Sequence, residues 1–182
     1  MTHSNRGLIG CWLLAFLGFP IGGGITYLLI GAVDSPVKGI IGGLITGLAI
    51  GGAQWLALRQ RHLIDMRWVA ITAGGLAVGI GTSIAIFGAS NDTTTIIERA
   101  ALTGILLGLS QAYVLPKQRA IAILWVLIVA LAYTVAWPIT SLVITDNVQM
   151  GYVVFGSSGA IVFQLITFSA VFRLSSQLSI KK

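Results

Sequence analysis

Charge is what this sequence has least of. Only 9% of its 182 residues are Asp, Glu, Lys or Arg, against about 25% in an ordinary soluble domain. Acids are scarcest, five in all, and none falls in the centre of an apolar run. The intramembrane carboxylate that proton-coupled pumps use is therefore missing. A single cysteine, Cys11, rules out an intrachain disulfide and leaves the redox compartment open. The two histidines, His3 and His62, lie outside the apolar runs, so no haem-ligating pair and no metal-ligand spacing is present. There is no H-E-x-x-H, no G-x-S-x-G and no Walker loop. Ser110 and Ser157 have no candidate base, and no lysine lies within an apolar run to form a Schiff base. These absences predict a protein that is not an enzyme and carries no cofactor. Leu8-Ile9-Gly10-Cys11 spells a lipoprotein cleavage box, but only Met1 to Gly7 precede it, so a buried membrane cysteine is expected instead. The apolar run from Gly7 to Val33 is also too long for a signal h-region of about 7–15 residues.

What is present is apolar surface. Hydrophobic residues make up 56% of the chain, and the mean hydropathy is +0.94. A soluble domain of this size cannot hide so much, because its own surface must be wetted. The composition implies an integral membrane protein. Six runs approach the 20 or so apolar residues that a spanning helix needs: about 8–32, 39–58, 68–89, 96–115, 120–144 and 151–172. None alternates as an outer-membrane strand would. The expected fold is an all-α bundle of six transmembrane helices forming one domain over residues 1–182. Asp34-Ser35-Pro36, Ser90-Asn91-Asp92, Pro116 and Asp146-Asn147 mark its turns.

The formal charge of +6 would suggest nucleic acid in a soluble protein. Here the cations sit at the ends of apolar runs, where they set topology and meet anionic lipid; no nucleic-acid partner is expected. With six spans, Arg6, Arg59, Arg61, Arg67, Lys117, Arg119, Arg173, Lys181 and Lys182 share one side, and only Lys38 and Arg99 the other. Asp34, Asp92, Glu98 and Asp146 lie opposite Asp65. This asymmetry predicts that both termini are cytoplasmic.

The even runs share a pattern. Thr46-Gly47, Gly51 and Gln54 recur as Thr103-Gly104, Gly108 and Gln111, each 57 residues on (111 − 54). Trp68-Val69 and Trp125-Val126 share that offset, Trp12 precedes Trp68 by 56, and Thr26 and Thr82 each follow a Trp by 14. Gln164 continues the series more weakly, with Ser157 and Ile161 where the glycines should be. Three pseudo-repeated helical hairpins are the simplest organisation.

The segment Gly47-x-x-x-Gly51-x-x-Gln54-Trp55-Leu56-x-Leu58-Arg59, followed by Trp68, resembles a hairpin motif of a loosely defined group of uncharacterised bacterial multi-spanning membrane proteins. The likeness covers the second and third runs well. It is partial in the fourth and fifth, where Ala112 follows Gln111 and Pro116 replaces the arginine. It implies a prokaryotic plasma (inner) membrane and transfers no activity.

Glycine is plentiful, with 23 residues. Gly39, Gly43, Gly47 and Gly51 form a stripe, and Gly18/Gly22, Gly75/Gly79 and Gly104/Gly108 repeat its spacing. In lipid such residues let helix backbones approach. Close packing within the chain is expected of Gly39, Gly43, Gly47, Gly51, Gly75, Gly79, Gly104 and Gly108; a homodimer face, or carbonyls lining a path, is the functional counterpart. Gln54, Gln111 and Gln164, with Thr46 and Thr103, form a candidate intramembrane polar cluster. It would serve as interhelical hydrogen bonds or as a polar constriction. Glu98 and Arg99 read as an interfacial charge pair, within reach of Asp34 or Lys38. Pro20 and Pro138 should kink their helices. Trp12, Trp55, Trp68 and Trp125 read as an aromatic belt. Two functions follow as expectations. One is a non-enzymatic accessory or assembly subunit that packs against other membrane subunits or a second copy. The other is a small-solute transporter, channel or membrane substrate-binding subunit, which would use Thr26, Thr46, Gln54, Thr82, Thr103 and Gln111 along a central route.

Overall fold

The computed structural model describes residues 3–59, 64–115, 119–143 and 157–179. Arg61, His62, Pro116, Lys117, Asp146, Asn147, Lys181, Lys182 and positions 144 and 151–156 of the expected spans lie outside the described residues, as do the side chains of Arg6 and Arg173. The elements in order are α1 (His3–Leu14), a 3-10 turn (Ala15–Leu17), α2 (Gly18–Ile30), α3 (Pro36–Leu58), α4 (Arg67–Phe87), α5 (Thr93–Ala112), α6 (Arg119–Val143) and α7 (Ser157–Ser179). Everything regular among the described residues is helical. Four stretches are long and apolar enough to cross a membrane: Gly10–Ile30, Pro36–Leu58, Arg67–Phe87 and Arg119–Leu142. The helix α5 opens on Thr93-Thr94-Thr95 and carries Glu98 and Arg99, which lowers its hydropathy. In α7 the apolar stretch described is Ser157–Val171.

Local chemistry sets the corners. Gly31 (φ 70°) ends α2 and Gly88 (φ 80°) ends α4, in a conformation that disfavours a Cβ. Ser35 caps α3 by accepting from the Lys38 amide at 3.4 Å, with Pro36 in its first turn. Asp92 caps α5, accepting from the Thr95 amide at 3.0 Å, the Thr95 hydroxyl at 2.7 Å and the Ser90 hydroxyl at 2.6 Å. Gly31 and Gly88 are 57 residues apart (88 − 31), as are Ser35 and Asp92 (92 − 35).

The bonds from Ser90 and Thr95 depress the Asp92 carboxyl from its ordinary value to about 2. A depressed acid stabilises the fold above its unfolded value near 3.8 and loses that contribution as pH falls towards 2. Amides at the start of α5 should therefore exchange faster with deuterium as pH drops from about 4 to 2, after correction for intrinsic rates. Asp92→Asn, which keeps a capping oxygen without the titration, should flatten that dependence. An identical profile in both proteins would refute the role.

Each helix from α2 to α6 packs on the next, and α7 packs on α6 and returns to α1, the 3-10 turn and α2. The helices thus close a ring. Its outside is apolar: Leu28, Leu29, Ile123, Leu127, Leu131 and Leu142 are exposed. Its inside holds buried Thr26, Gln54, Thr72, Ser83, Thr103, Gln111, Gln164 and Thr167. That is the reverse of a water-soluble fold. Together with the four long apolar helices it marks the chain as a membrane protein.

Pro20 acts upstream of its own position. It has no amide proton to offer the Phe16 carbonyl, and the Ala15–Leu17 turn, closed by the Gly18 amide on the Ala15 carbonyl, interrupts the first rod there. Pro138 lies inside α6, which continues through it to Val143 as one helix. In that helix Thr134 and Thr140 hydroxyls donate back to the carbonyls of Ala130 and Ala136.

Candidate functional site: a ring of buried tryptophan and glutamine

The close approaches come from glycine. A Cβ on Gly43 would stand 2.6 Å from Ala77 Cα, one on Gly47 2.5 Å from Ala73 Cα, and one on Gly51 3.0 Å from Val69 Cα. These three bring α3 onto α4. Gly39 continues the line, with Gly81 Cα at 3.2 Å. Between α5 and α6, Gly104 meets Ala130 Cα at 2.9 Å and Gly108 meets Val126 Cα at 3.0 Å. Gly75 faces Ser110 Cβ at 2.9 Å, and Gly79 faces Thr103 Cα at 3.1 Å, between α4 and α5. Gly18 and Gly22 meet Ile50 Cα and Thr46 Cα, both at 2.8 Å, between α2 and α3. Partners repeat with the glycines: Ala73 and Ala130, Val69 and Val126, and Thr46 and Thr103 are each 57 apart.

Backbones this close bring polar side chains together in two layers. The first layer is amide and indole. Trp68 in α4 donates from Nε1 to Gln54 Oε1 in α3 at 3.0 Å. Trp125 in α6 donates to Gln111 Oε1 in α5 at 3.1 Å. Both partners lie 14 residues apart in the chain. Gln111 Nε2 also donates to Thr72 Oγ1 in α4 at 3.0 Å. Trp12 in α1 donates to Gln164 in α7 at 3.2 Å, but to its backbone carbonyl. The indoles of Trp68 and Trp125 meet edge to face, centroids 5.6 Å apart, which joins α4 to α6 across the ring. Gln54 and Gln111 are 1% exposed and Gln164 0%.

The second layer is hydroxyl. Thr26 in α2 and Thr46 in α3 share a hydrogen bond of 2.9 Å. Thr103 in α5 donates to Ser83 in α4 at 3.3 Å. Each pair spans 20 residues. Ser83, 57 after Thr26, makes the second pair; Thr82, chosen by counting 14 from Trp68, is one position off and makes neither bond. The missed signal was the offset itself, since Trp12 to Trp68 is 56 while Thr26 to Ser83 is 57.

The candidate polar residues therefore do not form one cluster. Gln54, Gln111 and Gln164 occupy three separate seams, and Thr46 and Thr103 belong to the other layer. Three expectations need correction. Trp12, Trp68 and Trp125 are 0%, 1% and 2% exposed. They are interior hydrogen-bond donors, because an indole N–H satisfied by a buried amide gains more there than at a wet interface. Trp55 alone of the four is half-buried near the surface, with the Arg59 guanidinium 5.2 Å from its ring centroid. Cys11 is exposed, not buried. Lys38 and Asp34 pair with each other at 3.0 Å, and neither pairs with Glu98 or Arg99. Arg99 instead reaches the Ser90 carbonyl at 3.5 Å.

At the other end of the bundle, Arg67 binds Asp65 at 2.6 Å. The guanidinium holds that carboxyl below its ordinary value. Among the described residues no three His, Cys, Asp or Glu side chains gather as a metal site. Comparison with protein families, curated proteins and solved structures gives no match, so the chemistry of the ring is read from its own geometry.

Proposed function

We propose that the protein is a non-enzymatic accessory or assembly subunit of a prokaryotic inner membrane. It spans the bilayer six times as three pseudo-repeated hairpins, with both termini in the cytoplasm, and acts by packing against other membrane helices. The observation that carries this reading is the engagement of the polar interior. Gln54 and Gln111 accept indole protons, Thr26 pairs with Thr46, and Thr103 pairs with Ser83. These groups hold helices together and are not left free to replace the hydration of a passing solute. Recurrence of glycine contacts, hydroxyl pairs and helix caps at an offset of 57 supports the hairpin repeat. The positive side counted from the sequence supports the orientation.

Packing capacity remains on the outside. A Cβ on Gly23, Gly24, Gly52 or Gly74 would meet nothing within 4 Å, so backbone is open there to a helix from another subunit or a second copy. The test has two arms. Purified chain in liposomes should conduct no small ions and accumulate no solute. A photo-reactive residue placed at position 52 or 74 in native membranes should give a discrete protein adduct, while one at Leu142 should not. Flux by the purified chain alone, abolished by Gln111→Leu, would replace this reading with the transporter or channel.

A further inference from the structure

The ring has one seam unlike the others. Between α3 and α4, and between α5 and α6, a tryptophan is held by a glutamine side chain and glycines bring the backbones together. Where the first rod meets α7, neither device is present among the described residues. Gly18 and Gly22 face α3, Gly159 faces α6, and Gly7 and Gly10 meet nothing within 4 Å. The Trp12 indole reaches only a main-chain carbonyl that already belongs to the α7 helix. What spans the seam is bulk, the Phe19 and Phe163 rings with centroids 5.3 Å apart.

The glutamine itself is unsatisfied. Gln164 is fully buried, and its Nε2 has no hydrogen-bond partner among the described residues. Among the described residues its Oε1 takes only the Thr167 hydroxyl, at 3.5 Å. Gln111 shows what is missing, since its Nε2 finds Thr72; the position 57 residues after Thr72 is Val129, buried and without an acceptor. An unpaired amide in an apolar interior raises the free energy of the closed seam. The first rod can also bend beside it, because the Ala15–Leu17 turn interrupts the helix directly after Leu14.

We propose that the ring opens and closes at the seam between the first rod (α1, the 3-10 turn and α2) and α7, with the buried Gln164 amide as the element that destabilises the closed form. Opening lets the amide find water or another acceptor. Each remaining seam has a glycine in close contact with the facing helix, and those between α3 and α4, α4 and α5, and α5 and α6 also carry a side-chain amide hydrogen bond; they move as one body. Closed and open rings then form a two-state element of the kind that binding at the outer surface can bias.

The test uses the full chain in lipid nanodiscs with Cys11→Ser. Nitroxides are placed at exposed Leu17→Cys and Leu165→Cys across this seam, or at exposed Leu48→Cys and Val78→Cys across the α3–α4 seam as control. The first pair should show two distance populations and the control one. Gln164→Leu removes the unpaired amide and keeps the main-chain carbonyl that Trp12 uses, so it should abolish the longer-distance population. It should also raise thermal stability. A seam distribution as narrow as the control, or one that Gln164→Leu leaves unchanged, overturns the proposal.

Discussion

Gly47→Ala should destabilise the protein strongly, although alanine is the better helix former. The new Cβ would stand 2.5 Å from Ala73 Cα and 3.0 Å from the Thr72 carbonyl oxygen. No rotamer relieves a clash between a Cβ and a facing backbone, so α3 and α4 must move apart along their whole contact. The cost belongs at the upper end of the roughly 1–3 kcal/mol typical of overpacking. Gly43→Ala should behave alike, since Ala77 Cα and the Leu76 carbonyl oxygen both lie at 2.6 Å. Gly52→Ala and Gly74→Ala are the controls. Nothing lies within 4 Å of either new Cβ, so each should be neutral or stabilise by up to about 1 kcal/mol through helix propensity. Each of the four variants adds one methyl group to α3 or α4, and their melting temperatures in one detergent decide the matter. Equal tolerance at all four sites would mean that the glycines do not set the helix spacing.

Gln111→Leu should show the next largest effect. It strands the Trp125 indole N–H and removes the donor to Thr72, both inside the bundle. Leaving one buried donor unpaired costs about 1–3 kcal/mol. Interhelical hydrogen bonds in membranes average closer to 0.6, with a maximum near 1.7 kcal/mol, when their alternatives in the unfolded state are counted. A loss of about 1–3 kcal/mol is therefore expected for Gln111→Leu, and less for Gln54→Leu, which among the described residues engages Trp68 alone. Side-chain volume changes also enter these values, so the coupling is better read from a double-mutant cycle. Trp125→Phe combined with Gln111→Leu should show a coupling of about 1–2 kcal/mol. Trp12→Phe combined with Gln164→Leu should show almost none, because the indole there uses a main-chain carbonyl. Equal coupling in the two cycles would contradict the distinction between the seams.

The legible part of the fold was the part that is local in sequence. Hydropathy runs and turn residues anticipate α3, α4 and α6 within a few residues, because a spanning helix is selected by length and apolarity alone. The glycine spacing of four marks one face of a helix, and that face is where the close approaches occur. Ser35-Pro36 and Asp92 are readable as helix starts from capping chemistry. The tryptophans were not readable in this way. An indole at the end of an apolar run fits a lipid interface as well as a core, and only a partner distinguishes them. Trp12 finds its partner 152 residues away, a relation no local pattern contains.

The sequence by itself determined the solvent of this protein, its helical class and the face each glycine helix presents. Those follow from composition and a period of 3.6 residues. The tertiary structure decided which amide each indole meets, that Ser83 and not Thr82 completes the hydroxyl layer, and that the buried Gln164 Nε2 is left without a partner among the described residues. These are outcomes of ring closure. Hydrogen bonds depend on position within a few tenths of an ångström, and the packing of helices from opposite ends of the chain sets that position.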